Sequence, residues 1–153
     1  MSITGTQLAK AARDAYNQFK GQKIPNRGGG STPEGFDTGG FIMYCFRQCG
    51  HPLKIKGTND LFRRPHTWKD TLENTRKSKM AVDGAIAFIV KHDGGERKHS
   101  YTDGDNADCA GIVSNGQIIY YSATNEAICE TRINSSTRGN WWSHFVHLKD
   151  VSY

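Results

Sequence analysis

The sequence lacks the features that would tie it to a membrane or to secretion. No apolar run approaches the roughly 18–20 residues that a transmembrane helix needs, so we expect no membrane span. The segment from Met1 to Thr6 contains no basic region followed by an apolar stretch, and we therefore expect no secretory signal. The prediction is a protein made in the cytoplasm, and if its target is extracellular, something else must deliver it there.

Patterns typical of metal sites and disulfide frameworks are also missing. The four cysteines, which form no CxxC pair and no cysteine–histidine spacing of the zinc type, are Cys45, Cys49, Cys109 and Cys129. Cys45 and Cys49 stand four residues apart on a predicted helix and are expected to be buried as small apolar groups. His144 and His147 stand three apart in a predicted strand, on opposite faces, and do not form a metal pair. We predict no metal and no other cofactor.

The positive charge is concentrated in one segment. Residues 54–79 contain eight Lys or Arg and three Asp or Glu, which accounts for the whole net charge of +5. A basic face of this kind attracts anionic polymers, or is simply solvated surface. No DNA- or RNA-reading motif accompanies it, so nucleic acid is not an expected partner.

Two helices are predicted in the first third of the chain. Thr4 and Gln7 have the form of a capping box, and apolar residues then recur at helical spacing over residues 5–20. After a loop rich in glycine and proline, a second helix is predicted over residues 38–49.

The next segment is harder to interpret. Residues 50–66 have no clear period and are expected to be irregular. Thr67 and Asp70 have the spacing that caps a helix, which predicts a short third helix running to about Lys77.

From Asp83 onward the pattern is that of strands. Asn115 and Gly116 lie between two apolar runs, which is a strong hairpin signal. The polar stretch 91–106 is expected to be a long connection. The predicted strands cover residues 85–90, 109–113, 117–121, 127–133 and 144–148. Helices followed by an antiparallel meander indicate an α+β fold with a sheet of about five strands, in a single domain over residues 1–153.

The stretch Gly29–Phe41 reads as a glycine-rich loop that leads into the second helix. Asp37 and Thr38 are both residue types that cap helix N-termini. Gly39 and Gly40 are poor helix formers, so their place in the first turn indicates close approach of another part of the chain.

Together these stretches resemble an NlpC/P60 domain, the papain-like fold of bacterial and phage cell-wall peptidases. The resemblance covers nearly the whole chain and implies N-terminal helices packed on a C-terminal antiparallel sheet. Four stretches carry it, in the family's order and spacing: Pro25 through Gly40, Gly50-His51-Pro52-Leu53, Asp83-Gly84-Ala85-Ile86-Ala87-Phe88, and Cys109 through Tyr120.

The resemblance also implies which positions would perform catalysis. The family cleaves peptide or amide bonds of the peptidoglycan stem with a cysteine nucleophile, a histidine base and a third polar residue that orients the histidine. The corresponding positions in this chain hold Thr38, Cys109 and Tyr120, and the family's entrance-loop tyrosine corresponds to Asn26. All four positions differ from the family pattern.

These departures bear directly on function. An internal threonine hydroxyl is a poor nucleophile without an adjacent base, and a cysteine does not replace imidazole as a general base. We therefore predict a pseudoenzyme, a binding or structural module of a phage tail, a phage-derived particle or an injected effector. Its expected ligand is peptidoglycan stem peptide, a wall polymer or a partner protein.

Two other hypotheses remain open. The first is an active cysteine hydrolase, a peptidoglycan endopeptidase or amidase, with a rearranged site centred on Cys109 and with His92 or His99 as base. The second is a scaffold component that uses the basic 54–79 segment for assembly.

Several aromatic residues complete the predicted cleft. Tyr120 and Tyr121 alternate in a strand, so one is expected in the core and the other exposed. Of Trp141 and Trp142, one is expected to be buried and the other to be an exposed interaction anchor. The candidate cleft and binding residues are Asn26, Asp37, Thr38, Cys109, Tyr120, Trp141 and Trp142.

Overall fold

The computed structural model of the chain describes residues 3–55, 57–63, 68–71, 81–91, 106–137 and 140–153. The helices in these residues are α1 (Gly5–Phe19), α2 (Thr38–Gln48) and α3 (Thr58–Arg63). The strands are β1 (Ile3–Thr4), β2 (Ser31–Thr32), β3 (Gly35–Phe36), β4 (Trp68–Thr71), β5 (Ile86–Lys91), β6 (Asn106–Ser114), β7 (Gln117–Ser122), β8 (Ala127–Arg132), β9 (Ser136–Thr137), β10 (Asn140–Trp141), β11 (His144–His147) and β12 (Val151–Ser152).

An antiparallel sheet forms the centre of the fold. Its order is β4-β11-β5-β6-β7-β8, and each neighbouring pair runs antiparallel. Five of these strands are those predicted from the sequence, and β4 is an additional edge strand. The predicted α+β class is confirmed.

The β6–β7 hairpin forms as its sequence predicts. Ser114 pairs with Gln117, so the loop has two residues. Asn115 and Gly116 have φ angles of 52° and 74°, the left-handed region that a tight hairpin of this length requires.

The predicted third helix is wrong where the structure describes it. Residues 68–71 form β4, which pairs with β11 along its whole length. The local cap signal of Thr67 and Asp70 is overridden by strand pairing, because Trp68 and Thr71 are residue types that fit a pleated sheet. The rest of that prediction, residues 72–77, lies outside the described residues.

The expectation of irregular structure over residues 50–66 is also wrong in part. Thr58–Arg63 form α3, a helix too short to show a clear apolar period. Leu61 and Phe62 are the buried apolar residues of α3. The Phe62 ring packs edge-on against that of Phe88 in β5, with 5.1 Å between ring centroids. Tertiary packing therefore supplies the stability that six residues lack on their own.

The sheet has one face against helices, here called the helix face. Phe36 is fully buried beneath α2, with rings of Phe41, Tyr44 and Tyr121 around it at 5.4–5.7 Å. The other face, here called the far face, is covered by a second apolar cluster that includes Ala87, Tyr120, Trp142 and Phe145. Both faces of the central strands are thus buried.

The N-terminal helix is capped as predicted. The Thr4 hydroxyl accepts a hydrogen bond from the Gln7 amide at 3.1 Å, and the Gln7 side chain accepts one from the Thr4 amide at 2.9 Å. None of the helices in the described part of the chain is both long and apolar enough to span a bilayer.

Two predicted segments cannot be compared with the structure over most of their length. Residues 92–105 of the polar connection lie outside the described residues, as do five of the eight basic residues of the 54–79 segment.

Candidate functional site

Asp37 ties the glycine-rich loop to the start of α2. It is the N-cap residue, and its Oδ1 accepts a hydrogen bond from the Gly40 amide at 2.6 Å. Its Oδ2 accepts another from the Gly29 amide, also at 2.6 Å. The predicted capping role of Asp37 is confirmed, whereas Thr38 is the first helical residue rather than a cap.

The two glycines of the first turn allow the close approach that the sequence predicts. A methyl group at Gly40 would overlap the carbonyl oxygen of Gly30. One at Gly39 would lie 2.9 Å from the backbone nitrogen of Thr58 at the start of α3. The loop, the start of α2 and the start of α3 therefore pack backbone against backbone.

The Thr38 hydroxyl points at β6. Its Oγ1 accepts a hydrogen bond from the Ala110 amide at 3.0 Å and donates to the Ala110 carbonyl at 3.2 Å. The same oxygen lies 3.4 Å from Cys109 Sγ. A hydroxyl has a single proton, so it serves either the Ala110 carbonyl or the Cys109 sulfur at one time.

The bonds from Thr38 replace a missing strand partner of β6. β6 pairs with β7 only from Ile112 to Ser114, although its pairing with β5 extends down to Asn106. The start of α2 bonds to β6 at Ala110, outside the segment of β6 that pairs with β7. There Asn59 of α3 adds a second side-chain bond, since its Oδ1 accepts from the Ala107 amide at 2.9 Å. Asn59 was not a candidate from the sequence, because it lies in a segment without a recognisable pattern.

Cys109 faces the N-terminus of α2, where its sulfur lies beside the Thr38 hydroxyl. Its side chain is half-buried and packs against the far-face cluster. The positions that correspond to the family's nucleophile and base are therefore adjacent in space, but they hold a hydroxyl and a thiol.

Tyr120 is buried on the far face, with 7% of its surface exposed. Its ring packs edge-on against Trp142 at 5.1 Å between centroids. Burial raises its pKa, a hydrogen bond with Thr137 opposes the shift, and the nearby Cys129 and Cys109 sulfurs raise it further.

The expectation that either Tyr120 or Tyr121 is exposed is wrong. Tyr121 is fully buried on the helix face, where its hydroxyl donates to the Ile24 carbonyl at 2.6 Å. Strand alternation sends the two rings to opposite faces, but helices cover one face and the Trp142 cluster covers the other.

The tryptophan pair divides as predicted. Trp142 has 1% of its surface exposed, whereas Trp141 has 48% exposed. The indole Nε1 of Trp142 has no hydrogen-bond partner in the described structure.

Asn26 precedes the glycine-rich loop and forms an isolated parallel bridge with Phe36, the residue before Asp37. Its side chain is exposed, and its amide donates to Glu126 Oε2 at 3.2 Å. Glu126 itself has a φ of 50°, so the β7–β8 turn that holds the loop contains a left-handed non-glycine residue.

The three described histidines contact other parts of the fold. His51 lies near Phe46, His144 packs against Phe62, and His147 stacks on Tyr153 at 3.9 Å. Within the described ranges, no hydrogen bond joins a histidine to Thr38 or Cys109, and no group of three His, Cys, Asp or Glu side chains forms a metal site. His66 and the alternative bases His92 and His99 lie outside those ranges.

Solved structures similar to this fold contain NlpC/P60 domains. The crystal structure of the NlpC/p60 domain of the peptidoglycan hydrolase SagA matches with a TM-score of 0.55 and 20% identity, over 86% of this chain and 91% of that one. The P60 domain of the M. avium subspecies paratuberculosis antigen MAP1204 matches with a TM-score of 0.54 and 14% identity, over 95% of this chain and 97% of that one. No protein-family model and no curated protein matches the sequence significantly. The chain has the NlpC/P60 fold, as its sequence resemblance implies.

Proposed function

We propose that the protein is a catalytically inactive NlpC/P60-like module that binds bacterial wall peptide, a wall polymer or a partner protein. The observation that carries the proposal is the bonding of the Thr38 hydroxyl to both main-chain groups of Ala110, with the Cys109 sulfur 3.4 Å from the same oxygen.

The chemistry of that contact opposes catalysis. A nucleophilic hydroxyl needs a lone pair directed at the substrate and a base that removes its proton. The Thr38 oxygen instead accepts the Ala110 amide proton and donates its own proton within the fold. A thiol such as Cys109 does not match imidazole as a base near neutral pH.

Incubation with purified peptidoglycan, followed by mass spectrometry of soluble fragments, tests the absence of activity. We expect no fragments from the natural chain or from Thr38→Ala. Turnover that survives Thr38→Ala and disappears in Cys109→Ala, but not in the matched control Cys129→Ala, would overturn the proposal.

A double substitution asks whether the scaffold still supports the family's chemistry. Thr38→Cys/Cys109→His places a thiol and an imidazole at positions whose present side chains are 3.4 Å apart. If this variant releases stem-peptide fragments and the natural chain does not, the inactivity of the natural chain is due to these two residues.

Co-sedimentation with intact wall material tests the binding half of the proposal. Trp141, half-exposed beside a buried tryptophan, is the aromatic residue best placed as an anchor. We expect pelleting that weakens in Trp141→Ala and persists in the control Val82→Ala, which removes another exposed apolar side chain. No pelleting at low salt would remove the wall-binding version and leave a protein partner as the ligand.

A second candidate function has one supporting contact. The Cys109 sulfur is half-buried and lies beside the start of α2, where helix N-termini stabilise thiolates in cysteine hydrolases. Under this hypothesis Cys109 reacts readily with iodoacetamide at neutral pH, and the reaction rate reports its ionisation. A thiol that remains unlabelled in the folded protein excludes a hydrolase centred on Cys109.

We also propose where the protein acts: as part of a phage tail, in a phage-derived particle or as an injected effector. The support for this setting is the resemblance to a family whose members act on cell walls, which such particles must cross. Mass spectrometry of purified particles from the source organism tests it, and absence of the protein from them would refute this part alone.

A further inference from the structure

A groove runs between α1 and α2 on the outer side of the helical layer. Its volume is about 370 Å³, at the lower end of the range for ligand-binding clefts. Gln48 and Cys49 border it at the C-terminal end of α2, about 15 Å along the helix from Thr38. The groove is therefore separate from the site described above.

The groove is elongated. From Gln7 to Gln18 its α1 wall spans twelve residues, a rise of about 16 Å along the helix. An extended peptide of about five residues has the same length. Along the floor, Ala11 and Ala15 are four residues apart, and their small side chains let a chain-shaped ligand lie close to the helix.

The groove carries no net charge. Lys10 and Asp14, the charged residues that line it, form an ion pair with 2.6 Å between Nζ and Oδ2. The lining therefore offers no excess positive charge that would attract phosphate polymers or other anionic ligands.

Besides the Tyr44 phenol and the Cys49 thiol, the remaining polar side chains of the lining are carboxamides. Gln7, Gln18 and Gln48 border the groove from both helices and are exposed. Gln7 uses its oxygen in the α1 cap, which leaves its NH₂ group as a donor. A carboxamide has both donors and an acceptor, and so complements a main-chain amide.

We propose that this groove binds a short, uncharged peptide segment in extended conformation, through the carboxamides of Gln7, Gln18 and Gln48. An extended peptide offers an amide about every 3.3 Å, so side chains spaced along both walls each find a partner. A linear N-acetylated sugar is the competing occupant, but it carries a single amide per ring.

Titration of the ¹⁵N-labelled protein with a capped tetra-alanine peptide, followed by NMR, tests the proposal. With peptide up to about 10 mM, we expect saturable shifts of the amides of residues 7, 11, 18 and 48. Ala11→Leu fills the floor and should weaken binding by at least about tenfold, and Gln48→Ala by a smaller factor. The matched control Asn17→Ala removes an exposed amide of α1 outside the groove and should bind normally. Gln48→Ala alters only an exposed side chain, so it carries the test if Ala11→Leu lowers stability.

A protection experiment gives an independent readout. Cys49 borders the groove, whereas Cys129 lies on β8. The peptide should slow alkylation of Cys49 by N-ethylmaleimide and leave Cys129 unaffected. The proposal is overturned if the peptide gives no saturable shifts, if Asn17→Ala weakens binding as much as Gln48→Ala, or if an N-acetylglucosamine trimer occupies the groove more tightly than the peptide.

Discussion

From Ile112 to Ser114, β6 pairs with β7 through main-chain hydrogen bonds, whereas at Ala107 and Ala110 it is held by the side chains of Asn59 and Thr38. Main-chain pairing tolerates most residue types. Side-chain bonds require a particular polar atom at a particular distance. The second half of β6 therefore places few demands on sequence, while the first half depends on which residue begins α2.

That difference suggests a reason for a hydroxyl at position 38. A hydroxyl both accepts and donates strong hydrogen bonds, whereas a thiol is a weak partner in either role. Thr38 thus gives the start of α2 a firm attachment to β6. We interpret the residue as structural, in agreement with an inactive module.

The largest expected effect comes from the glycine that lets the loop contact α2. Gly40→Ala puts a methyl group onto the Gly30 carbonyl oxygen and should lower the free energy of unfolding by about 3 kcal/mol or more. Gly28→Ala is the matched control, because a methyl group there meets no atom within 4 Å. Urea denaturation compares the two variants, and equal stabilities would show that the loop and the start of α2 tolerate a methyl group at this contact.

Removing the Thr38 hydroxyl tests the side-chain attachment itself. Thr38→Val preserves shape but leaves both main-chain groups of Ala110 without this partner, which should cost about 1–3 kcal/mol. Thr38→Ser keeps the hydroxyl and should cost less. Native-state hydrogen exchange should accelerate at Ala110 and stay unchanged at Val113, and uniform acceleration of both would contradict the comparison.

The bond from α3 should matter less. Asn59→Ala removes the acceptor for the Ala107 amide and should cost about 1 kcal/mol, with faster exchange at that amide. Asn59→Asp retains an oxygen acceptor and serves as the control. If the Ala107 amide exchanges as fast in Asn59→Asp as in Asn59→Ala, the bond from Asn59 does not protect this edge of β6.

The smallest effect is expected at the C-terminus, remote from β6. Tyr153 accepts a hydrogen bond from the Leu148 amide at 3.1 Å, and burial raises its pKa from 10.0 to about 12. Because the folded state favours the neutral phenol, its contribution is complete below pH 10 and is lost as pH rises toward 12. Tyr153→Phe should lower the denaturation midpoint slightly at neutral pH and reduce the fall in stability between pH 10 and 12. If the stability of Tyr153→Phe falls as steeply between pH 10 and 12 as that of the natural chain, other titrating groups cause the fall.

Much of the fold could be predicted because its signals are local. The capping box at Thr4, the Asn115-Gly116 turn and the cap at Asp37 each depend on a few neighbouring residues. β4 and α3 could not be predicted in the same way. Each is short, and each owes its conformation to distant partners, β11 for the strand and Phe88 for the helix.

The site was predictable in its positions but not in its bonding. The family resemblance implied that Thr38 lies beside Cys109, and the structure brings Thr38 Oγ1 and Cys109 Sγ to 3.4 Å. The attachment of Thr38 to the main chain of Ala110 could not be predicted from the sequence, because every residue type except proline supplies the same amide and carbonyl groups at position 110. The burial of Tyr120 depends on Trp142, more than 20 positions away, which alternation within one strand does not reveal.

The carboxylate of Asp37 has a consequence for ligand recognition. It binds the Gly29 amide with one oxygen and the Gly40 amide with the other, so the loop cannot move without releasing the helix cap. The surface that a ligand would meet at this end of α2 is therefore assembled before binding. A preorganised surface loses little conformational entropy on association, which leaves more of each contact's free energy for affinity.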